Sequence, residues 1–552
     1  MAVAFSTRSP PFPIDRKPAY PAWVIGILVL AWLLPGLVGH DPWKMDEAIN
    51  FGVIHSMLER GSWLVPHLAG EPYLDKPPLY FWITAYSAKI FSVWFANHDA
   101  ARLSTGLFIG LALVFTALCA RELYGRGYGR IAVLILIGSI GLILHAHEMI
   151  AETALMTALA AALYGISLGK RNWAPAGVLI GLGVGLSFMT AGIAQAMMII
   201  FFAGVISLLS PAWRTWVYGR ALLLSVILAL PFLLLWPWYL YQAHPDLFRI
   251  WFWQNNIGFL LGLASKDFPS QVYYFLQTLP WFAWPAWPLA LWTLWRTRGA
   301  WNQPAVALPL TSFVVIFFMS SLLVTMRDVH VLPMLIPLSL LASGAAESLR
   351  KGAISALEWF GLMTFGLIAG VLWTGWFALH TGQPARLAAK LARMYPGFSV
   401  EFQGLAFTIA AIFTLAWLVM VLKRKRAAEF ALSRWVMGLI LMWALLATLW
   451  MPFIDGTKSY RATLESLKAA LPPAHDCISS QGLGDPQRAL LDYFAGVVTQ
   501  RAELSGKIEC SLVLIQGNSK QQDLNPGPGW QLIWEGHRPG DKYERFKLFQ
   551  HG

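Results

Sequence analysis

Charge is scarce in this chain. Asp, Glu, Lys and Arg make up 13% of its 552 residues, against about 25% in an ordinary soluble domain. Hydrophobic residues make up 57%, with 28 Trp. Apolar runs of roughly 20 residues recur along most of the length, each long enough to cross a bilayer as a helix, so the chain reads as an integral membrane protein. The middles of those runs carry essentially no charge, which excludes the intramembrane relay of an ion-coupled transporter. Cysteine is rare too: there are three, without zinc-type spacing. No Gly-rich phosphate loop, internal repeat or low-complexity tract is present, which removes P-loop and solenoid readings. The formal charge of +12 does not point to nucleic acid, because much of the Lys and Arg sits in short connectors between spans. Anionic lipid ligands stay compatible with it.

About thirteen spans are expected, starting near Trp23, Leu103, Ile131, Thr153, Ala174, Ile193, Ala221, Tyr273, Ala305, Val331, Ala353, Leu405 and Arg434. Basic residues mark alternate connectors: Arg121/Arg126/Arg130, Lys170/Arg171, Arg214/Arg220, Arg296/Arg298, Arg350/Lys351 and Lys423 to Arg426. With Arg8, Arg16 and Lys17 ahead of an uncleaved first helix, they fall on one side, which the positive-inside rule makes cytoplasmic. Counting the apolar stretch Leu79–Phe95 as a span would invert every later connector. It carries Lys89 and many aromatics, and reads as an interfacial helix on the outer surface. Ala48–Arg60 reads as a second.

The tail from Asp455 is different material, more polar and with turns such as Asn525-Pro526-Gly527-Pro528. Short β-like runs at Ser511–Ile515, Trp530–Trp534 and Phe546–Phe549 suggest a small outer α/β domain. The expected fold is thus a polytopic α-helical membrane domain (1–454) with outer interfacial helices, followed by a C-terminal α/β domain (455–552). Cys477 and Cys510 lie in the tail, where an oxidising compartment lets them pair; two buried free thiols are the alternative. Cys119, at a cytoplasmic helix end, reads as packing.

The ionisable residues collect at outer helix ends: Asp46, Glu47, His67, Asp75, Lys76, His145, His147, Glu148, Glu152, His244, Arg249, Lys266, Asp267, Arg327, Asp328 and His330. Asp46 and Glu47 follow the first span. A fixed carboxylate there suits glycosyl transfer, where it orients an acceptor and stabilises an oxocarbenium-like state. The same acids are also accounted for by the macrodipole of a helix N-terminus. Lys76 sits in Asp75-Lys76-Pro77-Pro78, where two prolines restrict the backbone and aim a point charge at a phosphate. A snorkelling interfacial lysine is the plain alternative. His145, Glu148 and Glu152 are spaced i, i+3, i+7 and are expected on one helical face, able to hold a divalent metal or simply to polarise a helix end. Arg327 and His330 suit a lipid phosphate, or an interfacial salt-bridged turn. The stretch His244 to Asn256, with His244, Arg249 and Asn255, suits an amphipathic lid over a lipid; interfacial aromatics alone also explain it.

Taken in order, MDEA, GSWLVPHLAGEPYLDKPPLYFW, IAETALM, HPDLFRIWFWQNN and VHVLPMLIPL resemble the lipid-linked-sugar glycosyltransferases of the C superfamily. The resemblance is to the protein O-mannosyltransferase-like branch and, within it, to bacterial aminoarabinose lipid A transferases. It implies thirteen transmembrane helices and a small periplasmic C-terminal domain, in a multi-pass protein of the bacterial inner membrane. It makes Asp46, with Glu47 beside it, the catalytic carboxylate, and assigns the donor phosphate to Lys76 with Arg327 and His330. Glu152 takes the second acidic position, with Asp75 as a further candidate. Where relatives often carry Thr-Lys-Gly this chain has Thr190-Ala191-Gly192, and an Arg common in relatives near Phe259 is missing. The implied reaction moves 4-amino-4-deoxy-L-arabinose from undecaprenyl phosphate to lipid A phosphate. The alternatives are transfer of a mannose-type sugar to protein or another glycan and, in a different class, a lipid-sugar flippase, which would need a polar path these spans lack.

Overall fold

The computed structural model describes residues 20–258, 268–323, 326–346, 348–399, 401–422, 428–473, 476–519, 524–541 and 543–552. Arg8, Arg16, Lys17, Phe259, Lys266, Asp267 and the Lys423 to Arg426 cluster lie outside them.

Apolar helices form a bundle, and eight of those described are long and apolar enough to cross a membrane. They include Asn97–Tyr124, Ala151–Leu168, Trp173–Ala191 and Trp216–Ala243. Other expected spans are short, such as Ala22–Leu33 and Ile193–Leu209. Two that the sequence presents as continuous are each two helices. The run from Ile131 is Tyr128–Ile137 and then Ile140–His145. The run from Tyr273 lies in Phe268–Phe282 and then Ala286–Arg296. The two breaks meet: Ile140 N donates to the Trp284 carbonyl (3.1 Å), and the Phe282 ring lies where a Cβ on Gly141 would stand (2.3 Å). Trp435 Nε1 caps the Gly138 carbonyl freed there (2.8 Å), so little backbone polarity is left for lipid.

One end of the bundle carries two helices too short to span. Asp46–Arg60 and Leu79–Phe91 have 15 and 13 residues, and between them a hairpin pairs His67–Leu68 with Glu71–Pro72. Tyr86, Ile90, Val93 and Trp94 are left exposed on or just after the second helix, as an interfacial helix requires.

From Arg461 the chain forms a five-stranded sheet. Its spatial order is Gln500–Arg501, Ile478–Gln481, Leu512–Asn518, Glu544–His551, Trp530–Gly536. The first three strands run parallel and the last two pair antiparallel. Cys477 and Cys510 are bonded (S–S 2.01 Å) immediately before two neighbouring parallel strands. Cys119 is a buried free thiol. The Asp485–Ala495 helix lies on Asp46–Arg60, close enough that a Cβ on Gly52 would stand 2.5 Å from the Ala489 Cβ.

Candidate functional site

The site is organised by a buried guanidinium. Arg102, wholly buried near the start of the Asn97–Tyr124 helix, donates through Nε to Glu47 (2.7 Å) and through Nη1 to Asp99 (2.6 Å). Its remaining donors take the carbonyls of Leu37 (3.4 Å) and His40 (3.1 Å). Two carboxylates and two carbonyls on one guanidinium are what make a buried charge tolerable. Glu47 also accepts from the Trp43 and Met149 amides (3.2 and 3.4 Å). It is therefore not available for catalysis: it locks the 34–45 loop and the helix start, and leaves the adjacent Asp46 pointing elsewhere. Sequence reasoning missed Arg102; the signal was its i, i+3 spacing from Asp99 at the head of a span.

The 146–150 turn is pinned by Asn50 Nδ2 to the Met149 carbonyl (2.9 Å) and Thr105 Oγ1 to the Glu148 carbonyl (3.1 Å). It delivers Glu152 in the first turn of Ala151–Leu168. Lys76, held by the buried Pro77 and Pro78, reaches Glu152 Oε1 at 3.0 Å, with the two side chains 23% and 12% exposed. Arg327 forms an ion pair with Asp46. His330 follows, and the charges of Glu152, Lys76, Arg327 and Asp46 all act on it. Five of the expected residues therefore form one partly buried cluster. Tyr73, which the sequence did not single out, stands among them. Burial, then the carboxylates of Asp75, Glu152 and Asp46, push its hydroxyl well above the ordinary range, so it stays protonated as a hydrogen-bond donor.

Other expectations are corrected. His145, Glu148 and Glu152 do not share a helical face, because the helix ends at His145 and a turn intervenes. His145 bonds Glu148 (2.8 Å) and faces Asp328 (3.5 Å), while Glu152 is taken by Lys76. Among the described residues no group of three or more His, Cys, Asp or Glu could hold a metal ion. Asp75 is exposed, with Asp485 and Lys76 as its charged neighbours, and among the described residues no hydrogen bond or ion pair ties it to the cluster. His147 is buried between the Ile143 and Trp32 carbonyls (2.6 and 3.1 Å), and His67 bonds the Val65 carbonyl (2.8 Å); neither joins the cluster.

The lid stretch divides. His244 and Arg249 are exposed, and among the described residues no hydrogen bond or ion pair ties them to the cluster. Asn255, in the widened helical turn Ile250–Gly258, donates to the Leu74 carbonyl beside the Lys76 loop (3.2 Å). Asn256 Oδ1 accepts from Ile193 N (3.3 Å), next to Ala191.

Chemically, two carboxylates, two cations, an imidazole and a phenol converge beside the Asp46–Arg60 helix. Each cation is neutralised by an acid, so an entering anion can exchange for a carboxylate rather than meet a bare charge.

Residues 75–241 match the family model for dolichyl-phosphate-mannose-protein mannosyltransferase. The undecaprenyl phosphate-alpha-4-amino-4-deoxy-L-arabinose arabinosyl transferase of Pseudomonas aeruginosa (strain UCBPP-PA14) is 27% identical over 61% of this chain and 62% of its own length. The chain thus spans less than two thirds of that relative. The enzyme of the same name from Yersinia enterocolitica is 30% identical over 67% of this chain and 69% of its own. The fold matches the crystal structure of ArnT from Cupriavidus metallidurans bound to undecaprenyl phosphate, with a TM-score of 0.69 at 16% identity, over 96% of this chain and 98% of that one. On the Yersinia match, over more than two thirds of both proteins, this chain belongs to the family of undecaprenyl phosphate-aminoarabinose arabinosyl transferases.

Proposed function

We propose that the protein is a membrane glycosyltransferase that moves 4-amino-4-deoxy-L-arabinose from undecaprenyl phosphate to a phosphate of lipid A. In this reading thirteen segments cross the inner membrane, broken ones included, and residues 1–454 form the catalytic domain. The Asp46 end and the 455–552 domain face the periplasm, and the basic connectors face the cytoplasm. The observation that carries it is the convergence of the Asp46–Arg327 and Lys76–Glu152 pairs on His330 at one end of an apolar bundle.

The donor enters from the bilayer, and its phosphodiester takes Lys76 and Arg327 from their carboxylates. Asp46, released, faces the sugar. An acceptor phosphate oxygen bonds the anomeric carbon as the carbon–oxygen bond to the donor phosphate breaks, and undecaprenyl phosphate leaves with that electron pair. The acceptor is already an anion and needs no general base, so Asp46 orients it and stabilises the oxocarbenium-like charge. Tyr73 supplies a hydrogen bond to the same group. A lipid A carrying the amino sugar is less negative, which weakens attraction of cationic peptides.

The test is mass spectrometry of lipid A from a strain lacking the gene, complemented with wild type or Asp46→Asn. Wild type should add the mass of one amino-pentose, and the Asp46→Asn variant should transfer roughly 10²–10³-fold less. An increment present in both strains, or in neither, overturns the reading. The mannosyltransferase match over residues 75–241 favours a second reading, sugar transfer to protein, which would appear as a glycosylated envelope protein with lipid A unchanged.

A further inference from the structure

Away from the Asp46 cluster, a cavity of about 920 Å³ opens between the Ala385–Met394 helix and the C-terminal sheet unit. On that helix Arg386, Lys390 and Arg393 recur at i, i+4 and i+7, and Leu387 and Leu391 form the opposite face. The three cations are exposed, and among the described residues none has an acidic partner. The facing wall adds Lys458 and Arg538. The wall's single carboxylate, Asp541, is engaged by Arg538 (3.3 Å). The groove adjoins the catalytic loop: the Lys458 ammonium lies 4.4 Å from the Trp43 ring centroid, and the Trp43 amide donates to Glu47, next to Asp46. Met394, also on the groove's wall, is an exposed apolar side chain.

We propose that this groove binds the phosphorylated head group of the acceptor lipid, anchoring an anionic group while another is presented at Asp46; this rests on the transferase reading above. Four cations without an acidic partner among the described residues, beside an Arg538 already shared by Asp541 and Glu544, match a head group with more than one phosphate. A wall contributed by the sheet unit makes a shaped site rather than the bare basic face by which an amphipathic helix lies on any anionic bilayer.

The test uses the full chain in phosphatidylcholine nanodiscs, titrated with bisphosphorylated lipid A, monophosphoryl lipid A, phosphatidylglycerol and undecaprenyl phosphate. Each cation beside an anionic head group is worth about a fivefold change in binding, so R386Q/K390Q/R393Q should weaken bisphosphorylated lipid A roughly a hundredfold. Monophosphoryl lipid A should bind more weakly to wild type and lose less, and undecaprenyl phosphate should bind as before. In the transfer assay the loss should fall on the KM for lipid A. Unchanged lipid A binding in the triple variant overturns the proposal, as does an equal loss for phosphatidylglycerol. Should the triple variant also lose undecaprenyl phosphate, Lys458→Gln, which leaves the helix intact, decides: selective loss of lipid A supports the groove and no loss overturns it. Groove-dependent lipid A binding without sugar transfer would keep the groove and reject the transferase reading.

Discussion

At the scale of residues, the two adjacent acids at the head of the first interfacial helix have opposite fates. Successive helical side chains diverge by about 100°, so one of the pair must turn inward. Glu47 is the inward one because Arg102 waits there. Replacing Arg102 by Met should strand Glu47 and Asp99 as buried unpaired carboxylates, at about 3–5 kcal/mol. Thermal unfolding of the purified protein in detergent would read this as a large fall in midpoint, partly restored by adding Glu47→Gln. An unchanged midpoint would mean that the guanidinium does not organise the loop. Asp46, Lys76, Glu152, Arg327 and His330 were legible in the sequence because charge at the end of an apolar run stands out against its surroundings. Which acid joins the cluster was not legible from the residues themselves, because Arg102, 55 residues further along the chain than Glu47, claims the other.

At the scale of elements, apolar run length and the basic connectors located the apolar segments, and short β-like runs located three of the five strands of the tail, while the short strands Ile478–Gln481 and Gln500–Arg501 went unread. The two broken spans were not legible. Neither break is a property of its own segment: each exists because the other offers a carbonyl or a ring at that height. The docking of the Asp485–Ala495 helix on Asp46–Arg60 is equally nonlocal and depends on a glycine. A Cβ on Gly52 would meet the Ala489 Cβ at 2.5 Å and Leu68 Cδ1 at 2.8 Å. Gly52→Leu should cost about 1–3 kcal/mol through overpacking and lift the sheet unit from the interfacial helix. Limited trypsinolysis reports on this directly, because Arg488, on the docked helix itself, is only 1% exposed. Cleavage after Arg488 should appear in the variant and be absent from wild type. Equal protection in both would show that the helices do not need this close approach.

At the scale of the whole molecule, the membrane bundle and the sheet unit are held together largely by ion pairs placed around the site. Arg461 and Ser459 grip Asp41, Arg488 and Arg501 grip Glu71, and Arg60 grips Asp492 (2.6 Å). The turns they bind, 41–46 and 71–76, carry Asp46 and Lys76, so docking and site geometry are one property. Burial acts to raise both the Asp41 and Glu71 carboxyls, and hydrogen bonds from Arg461 and Ser459, or from Arg501 and Arg488, overcome it and hold them below the usual range. A carboxyl depressed in the folded state adds its stability in full above its ordinary value of about 4. That stability is lost as pH falls through the depressed native value. Acid should therefore undock the sheet unit before it disturbs the apolar bundle. Hydrogen exchange, corrected for intrinsic rates and followed from pH 7 to below pH 4, should show protection falling in Asp46–Arg60 and Asp485–Ala495 while Trp173–Ala191 holds. In Asp41→Asn and Glu71→Gln the two docking helices should be less protected already at pH 7, with a flatter pH dependence. If those variants match wild type across the range, the carboxylates do not hold the two parts together, and the position of Asp46 depends on contacts within the bundle such as Arg102–Glu47 and Arg327–Asp46.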